Sequence, residues 1–303
     1  MKPQPFRVAV RCSLIALLLL LAGAAIWHLR LAPLIWYWSA MPAEAPGALR
    51  LAEYRVTLEA HPIEGLQNNA SALTYNWESG TLFTTINHPP QIVELSNAGE
   101  LLRRIPVAGV DDLEGITHME GKLYVLVDER KQQVYRVAID ADTRHIDVAQ
   151  APRIGLGLFL NGNLGFEGIT WDEQRHRLFV AKEKTPRVFE IDGMPRLMDA
   201  GELNLQIREW IPRQPFRRFM RDLSSLSRDE RTGHMLLLSD ESRLLAEYDA
   251  AGELAGLMLL WRGFHGLAAS VPQAEGVAVG RDGTIYLISE PNLFYRFERR
   301  KAG

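Results

Sequence analysis

Cysteine is almost absent from this sequence. The one cysteine, Cys12, stands near the N-terminus, so the rest of the chain can form neither a disulfide nor a thiolate metal site. A basic excess is also missing, because the net charge is -3 and the segment after residue 50 is more acidic still. Nucleic-acid binding requires a basic surface, and we therefore expect no nucleic-acid partner.

Several familiar catalytic motifs are missing as well. The sequence contains no phosphate-binding P-loop, no GxSxG nucleophile motif and no HExxH zinc motif. It offers no serine, histidine and aspartate that can be assigned to a catalytic triad, and no long amphipathic helix. The function classes that depend on these motifs are therefore not indicated.

The N-terminal segment has the layout of a membrane anchor. Lys2, Arg7 and Arg11 precede an apolar run over residues 12–27, and an aromatic cluster follows at 36–38. Basic residues that flank a membrane-spanning helix stay in the cytoplasm. We therefore predict a cytoplasmic flank and a transmembrane signal anchor over 1–38. Residues 39–50 are predicted to be a linker rich in alanine and proline.

This orientation predicts a single-pass inner-membrane protein whose C-terminal domain lies in the periplasm. A cleaved signal peptide is the alternative, with Ala22-Gly23-Ala24 as its cleavage site. In that case the protein would be soluble in the periplasm.

A short pattern then recurs five times, at intervals of 43 to 57 residues. Each copy is followed by two further apolar strands, and in four copies by a weaker fourth strand, near 101–107, 145–149, 205–211 and 254–261. Short strands in groups of four are typical of a β-propeller. We predict an all-β, five-bladed β-propeller over 51–303, following the N-terminal transmembrane helix. The strand at 51–59 is expected to complete the last blade, which closes the ring and removes exposed edges.

The third position of the repeat carries the candidate metal ligands. Inner strands line the axis of a propeller, so this position should form a ring there: Ser71, Glu114, Glu167, Ser224 and Glu275. Converging carboxylates repel one another unless protons or a cation intervene. We predict that Glu114, Glu167 and Glu275 bind a hard cation, Ca²⁺ before Mg²⁺. The alternative is that each accepts backbone N–H bonds and has a structural role. Strict strand alternation would place Glu114 on the same face as the apolar Ile116, so its direction stays open.

A second set of polar residues is predicted to line the same rim and contact a ligand. It combines the residues that end the second strands, the first positions of two repeats, and a neighbouring lysine that could hold an anion or pair with the acids: Asn87, Asp128, Glu183, Asp240, Glu290, Asn69, Asp222 and Lys182.

Five sequence motifs connect the chain with a known family: GFEGIT at 165–170, VAKEK at 180–184, SDESR at 239–243, QAEGVAV at 273–279 and SEPNLFYRF at 289–297. Through these motifs the chain resembles the SdiA-regulated (YjiK-like) family over about residues 50–299. The resemblance implies a membrane-anchored five-bladed propeller, distantly similar to NHL propellers, with a calcium ion and no assigned biochemical role. The E-G words also resemble those of metal-dependent lactonases and esterases, in which such a glutamate ligates the metal.

Three functional hypotheses follow. In the first, a periplasmic propeller of unassigned role binds calcium near its central channel and presents a face to a small molecule or an envelope protein. In the second, the ion makes the protein a metal-dependent hydrolase of lactones, esters or phosphoesters. In the third, the propeller is a metal-free interaction scaffold.

Overall fold

Two helices precede the β domain in the computed structural model, which describes residues 5–28, 31–40, 47–67, 69–156, 165–193 and 205–300. They are α1 (Pro5–His28) and α2 (Leu31–Ala40). Within α1, the 20 residues Ala9–His28 are long and apolar enough to cross a membrane, and none of that stretch is buried in the protein. The apolar run seen in the sequence therefore forms the C-terminal part of a longer helix.

The strands of the described ranges follow one another in a regular order. They are β1 (Tyr54–Pro62), β2 (Ala70–Tyr75), β3 (Leu82–Ile86), β4 (Gln91–Leu95), β5 (Leu101–Ala108), β6 (Leu113–His118), β7 (Leu123–Asp128), β8 (Gln133–Ala138), β9 (Ile146–Asp147), β10 (Arg153–Gly155), β11 (Phe166–Asp172), β12 (Arg177–Lys182), β13 (Arg187–Asp192), β14 (Gln206–Trp210), β15 (Ser225–Asp229), β16 (His234–Ser239), β17 (Leu244–Tyr248), β18 (Leu254–Leu259), β19 (Ala274–Val279), β20 (Ile285–Ser289) and β21 (Leu293–Arg299).

These strands form five sheets, and the predicted five-bladed propeller is confirmed. Blade one is β2-β3-β4-β5, blade two β6-β7-β8-β10, blade three β11-β12-β13-β14, blade four β15-β16-β17-β18, and blade five β19-β20-β21-β1. The first strand of each blade packs against the first strands of its two neighbours. The five inner strands therefore surround a central channel.

Hydrophobic clusters fill the interfaces between neighbouring blades. Successive side chains of a strand point to opposite faces of its sheet, so each blade can supply both of its interfaces. In β7, Tyr124 and Leu126 pack towards blade one, whereas Val125 and Val127 pack towards blade three. All four side chains are at most 1% exposed. Burial on both faces accounts for the near-continuous apolar runs of the second strands.

The ring closes through β1. This strand pairs antiparallel with β21, for example Val56 opposite Phe297, and so supplies the outer strand of blade five. Residues 51–53 form a 3₁₀ turn before β1 rather than part of the strand. The reason is visible at Leu51, which is 1% exposed and packs inward with the blade-four and blade-five core.

Blade two corrects one expectation. The fourth strand expected near 145–149 lies instead at Arg153–Gly155, where it pairs with β8. Ile146–Asp147 forms the short strand β9, which runs parallel to β5 of blade one. Ile146 and Val148 are buried in the cluster between blades one and two. Burying these two apolar side chains at the interface takes the segment away from the edge of its own blade.

Helix α2 contacts the propeller at blade four, where it packs against β18. Leu34 is 8% exposed and belongs to the same hydrophobic cluster as Phe216 and Leu257. The candidate membrane span is therefore connected to the propeller by a docked helix.

Candidate metal site at the mouth of the central channel

A β-bulge holds each of the three repeat glutamates. Glu114 has no partner of its own in β7, because Leu113 pairs with Asp128 and Gly115 already pairs with Val127. The same register shift occurs at Glu167 in blade three and at Glu275 in blade five. A bulge residue is released from strand alternation and can re-aim its side chain.

This local geometry answers the question that strict alternation left open. Ile116, two residues after Glu114, is 1% exposed and packs between blades one and two, whereas Glu114 is half-buried near the axis. The bulge interrupts the alternation of side chains between the two residues. Glu114 and Ile116 can therefore point in different directions.

The glycine after each glutamate permits the close approach of neighbouring inner strands. A Cβ atom at Gly168 would lie 2.8 Å from the backbone nitrogen of Leu226 in blade four. One at Gly276 would lie 2.7 Å from the carbonyl carbon of Ala72 in blade one. These distances are shorter than van der Waals contact, so a larger residue would push the inner strands apart.

The three glutamates lie close enough together for their charges to interact. Burial raises the pKa of Glu114 to about 7, while hydrogen bonds from Asn87 and Ser71 act in the opposite direction. Burial raises the pKa of Glu275 to about 8 and that of Glu167 to about 10. The charges of Glu275 and Glu114 contribute to the rise at Glu167, and Glu114 also contributes at Glu275. At neutral pH these carboxyl groups therefore tend to keep protons, unless a cation compensates their negative charges.

The tightest acidic group of the described residues includes one of these glutamates and two residues that sequence reasoning missed. Carboxylate oxygens of Asp112, Glu114 and Glu129 lie within 4.8 Å of one another, and all three side chains are half-buried. Oxygens at this separation can share one metal ion. Glu167 and Glu275 stand outside this triad.

Backbone pairing explains why Asp112 and Glu129 meet. Asp112 directly precedes β6, and Glu129 directly follows β7. The Glu129 N–H donates to the Asp112 carbonyl over 2.9 Å. The Gly165 N–H donates to Glu129 Oε1 over 2.9 Å, which holds that carboxylate against blade three. Asp112 is the first residue of its repeat and Glu129 directly follows Asp128, so both positions were adjacent to predicted ones.

Two asparagine side chains of blade one extend the hydrogen bonds of Glu114. Asn87 Nδ2 donates to Glu114 Oε1 over 2.6 Å, and Asn69 Nδ2 donates to Asn87 Oδ1 over 2.7 Å. The structure thus brings Asn69 and Asn87, both predicted rim residues, into the hydrogen-bonded surroundings of Glu114.

Three other predicted rim residues hold loops. Asp128 is fully buried and accepts hydrogen bonds from the backbone N–H groups of Asp111 and Lys131. Asp222 accepts from the Ser239 hydroxyl and the Glu241 N–H, and Asp240 accepts from the Ala274 N–H. At least one oxygen of each of these carboxylates therefore accepts a hydrogen bond from the protein itself.

The remaining rim residues form the charged border of the site. Glu183 pairs with Lys184 over 2.9 Å, and its charge raises the pKa of Glu167. Glu290 is half-buried, and burial followed by the charge of Asp240 raises its pKa. Lys182 is 8% exposed, with its backbone opposite Phe166.

Solved structures of two other proteins are similar to this chain. The Myxococcus xanthus glutaminyl cyclase is 14% identical with a TM-score of 0.56, and the match covers 81% of this chain and 95% of that one. A streptogramin B lyase is 9% identical with a TM-score of 0.49, over 82% and 99% of the two chains. At these identities the similarity concerns the fold alone.

The sequence itself identifies the family. It matches the SdiA-regulated family over residues 47–298, which includes every strand from β1 to β20 and nearly all of β21. With the propeller fold, the E-G bulges and this match together, the chain belongs to the SdiA-regulated family.

Proposed function

We propose that this protein is a membrane-anchored periplasmic propeller that binds a calcium ion at the acidic mouth of its channel and presents that mouth to a ligand or an envelope protein. The observation that carries the proposal is the 4.8 Å grouping of carboxylate oxygens from Asp112, Glu114 and Glu129. Carboxylates this close, and half-buried, repel one another unless a cation or protons compensate them.

The chemistry of the donor set favours calcium. The three grouped side chains, Asp112, Glu114 and Glu129, all offer carboxylate oxygens, and hard cations select such ligands. Ca²⁺ takes six to eight oxygen ligands in flexible geometry, whereas Mg²⁺ demands a near-ideal octahedron. Three carboxylates with Glu167 and Glu275 close by suit the larger, more adaptable ion.

Calorimetric titration of the full chain in detergent tests the proposal. After treatment with chelator and its removal, we expect saturable Ca²⁺ binding with one site per chain, and weaker binding of Mg²⁺. Glu114→Gln and Glu129→Gln should each weaken Ca²⁺ binding at least tenfold, because each removes one charged ligand. Asp142→Asn, in an exposed turn of blade two, is the matched control and should bind as the wild type does. Equal binding by all four proteins would overturn the calcium assignment.

The proposed orientation rests on Lys2, Arg7 and Arg11, which precede the apolar part of α1 and favour a cytoplasmic N-terminus. Fusing alkaline phosphatase to the C-terminus should give an active enzyme, since this reporter requires the oxidising periplasm. A fusion that is inactive while fully expressed would reverse the orientation. The length of the mature chain, measured by mass spectrometry, distinguishes a retained anchor from a cleaved signal peptide.

Presentation of the acidic mouth to a partner predicts calcium-dependent binding. Cross-linking in intact cells should yield a defined adduct with the wild type that is reduced by Glu114→Gln and retained by Asp142→Asn. A pattern of adducts that is the same for all three proteins would count against this mouth as the binding face.

A further inference from the structure

The two N-terminal helices follow one another closely. The 20 residues Ala9–His28 of α1 cover about 30 Å at a rise of 1.5 Å per residue, which is the thickness of the hydrocarbon core of a bilayer. Helix α2 begins at Leu31, three positions after His28. Three positions span at most about 11 Å even when extended, and each headgroup layer is roughly 5–8 Å thick. When α1 crosses a membrane, α2 therefore begins in or just outside the headgroup layer.

Helix α2 is apolar around most of its circumference. Its ten residues, LAPLIWYWSA, include no charged side chain. A surface helix of a soluble protein normally has one polar face, whereas a helix that is hydrophobic all round is buried. We therefore expect an apolar environment on more than one side of α2.

Blade four covers only one side of this helix. Leu34 is 8% exposed and belongs to the same hydrophobic cluster as Leu257 of β18. The next residue, Ile35, lies about 100° further around the helix and is 59% exposed. Trp38 is 38% exposed, and tryptophan is enriched at the interface between membrane and water. Lipid next to the end of α1 can cover this second side.

The propeller surface beside α2 carries a further exposed apolar side chain. Trp210, the last residue of β14, packs against the hydrophobic cluster that contains Leu34. The residue that follows it, Ile211, is 63% exposed. A single exposed isoleucine is common on protein surfaces, but this one directly follows a residue that packs where the membrane-proximal helix docks.

Arginines follow Ile211 along the same loop. Residues 211–221 include four arginines and no acidic residue: Arg213, Arg217, Arg218 and Arg221. Phe216 and Phe219 are buried in the cluster that contains Leu34, so the loop is held beside α2. Arg213 pairs with Glu253 over 2.9 Å and is 72% exposed. Exposed ion pairs contribute only about 0–1 kcal/mol, so such a guanidinium group can exchange its partner for a lipid phosphate.

We propose that α2 lies in the headgroup layer, between the lipid and blade four, and that the loop around Ile211 rests on the same bilayer. The propeller is then held with the outer side of blades three and four towards the membrane instead of moving freely on its anchor. This inference rests on the membrane anchoring in the proposed function and is independent of the calcium site.

Spin labels on the full chain in phospholipid nanodiscs test the contact. Ile35→Cys and Ile211→Cys are labelled in a Cys12→Ser background, and collision rates are measured with oxygen, which enters lipid, and with a water-soluble nickel chelate. We expect an oxygen-to-nickel ratio at least threefold above that of Leu102→Cys. Leu102 is the matched control, because it is 50% exposed and lies in blade one, which does not adjoin blade four.

The native Cys12, labelled in the wild-type chain, reports separately on the anchor because it lies within α1. Ratios at residues 35 and 211 equal to the control, with Cys12 in lipid, would overturn the inference and leave the anchor intact. Protection of both residues from both reagents would also overturn it, since that is the signature of cover by protein. A Cys12 label exposed to water would overturn the anchoring itself.

A second variant tests whether α2 holds the loop on the lipid. Ile35→Glu adds a charge to an exposed position of α2 and should lower the oxygen-to-nickel ratio of the Ile211→Cys label at least threefold. Leu102→Glu is the matched control and should leave that ratio unchanged. An unchanged ratio in Ile35→Glu, with folding checked by circular dichroism, would contradict the role of α2.

Discussion

Asn87 donates its side-chain N–H to Glu114 Oε1 over 2.6 Å, although the two residues belong to different blades and lie 27 positions apart. This bond favours the charged form of the glutamate and lowers its pKa against the effect of burial. It therefore prepares Glu114 to bind a cation.

The first prediction concerns this bond. Asn87→Leu should raise the pKa of Glu114 further, so that calcium competes with a proton at neutral pH. We expect about tenfold weaker Ca²⁺ binding at pH 6.5 and a smaller loss at pH 8.5, measured by calorimetry. Asn97→Leu, in an exposed turn of blade one, is the control. A loss that does not depend on pH would mean that Asn87 acts through the shape of the site.

The second prediction concerns the stability of the metal-free protein. The pKa values of Glu114 and Glu275 rise from 4.5 to about 7 and about 8 on folding. Between those limits the folded protein holds more protons than the unfolded chain, so the free energy of unfolding falls as pH rises. With chelator present, the melting temperature should therefore be lower at pH 8.5 than at pH 5.5.

Calcium and one substitution distinguish this effect from other titrations. Ca²⁺ at a hundred times its Kd at pH 8.5 adds about 2.7 kcal/mol, or roughly 5–10 °C for a domain of this size, and the same Ca²⁺ concentration should add less at pH 5.5. Glu275→Gln should reduce the dependence on pH, whereas Glu100→Gln, in an exposed turn, should not. A melting temperature that rises with pH in chelator would contradict the argument.

The third prediction concerns the crowded axis. Gly168→Ala places a methyl group 2.8 Å from the Leu226 nitrogen, which is backbone and can move only with blade four. We expect destabilisation by about 1–3 kcal/mol in urea unfolding, the usual cost of overpacking. Gly155→Ala, whose Cβ meets nothing within 4 Å, should change stability by less than about 0.5 kcal/mol. Equal stability of the two variants would show that the inner strands adjust freely.

The fourth prediction concerns the segment between the anchor and the propeller. The Leu49 N–H and His234 Nδ1 both bond Glu247 Oε1 over 2.8 Å, and Glu247 is fully buried. Glu247→Ala should therefore release the segment and speed amide exchange at Leu49 at least tenfold, equivalent to about 1.4 kcal/mol. Glu253→Ala, which removes an exposed pair with Arg213, should leave that exchange rate unchanged. Hydrogen exchange with mass spectrometry provides the measurement.

Much of the fold was predictable because its signals are local. Apolar alternation and turn residues identified the strands of each blade, and their recurrence indicated the number of blades. The prediction was wrong for the fourth strand of blade two, where Ile146 packs into the neighbouring interface instead. Segment 145–149 is short, and its alternation of apolar and polar residues is weak. Its position therefore depends on its contact with blade one.

The candidate site was predictable in part for the same reason. Repetition placed Glu114, Glu167 and Glu275 in one column, and the structure brings their charges within range of one another. It did not identify Asp112 and Glu129, which are brought together by a backbone bond beyond the ends of two strands. Each has a counterpart in blade four, Asp222 and Glu241, but neither recurs in all five repeats, so the repeat pattern did not single them out.

By itself, the sequence determined that five similar units form one ring of blades, because each unit exposes an apolar face that only its neighbours can bury. It also indicated that the repeat glutamates Glu114, Glu167 and Glu275 stand in one column near the axis. The tertiary structure decided where they point, because a bulge depends on the register between two strands rather than on either strand alone. It also decided that Asp112, Glu114 and Glu129 share one small space. Such proximity between residues distant in the chain arises only once the ring has closed.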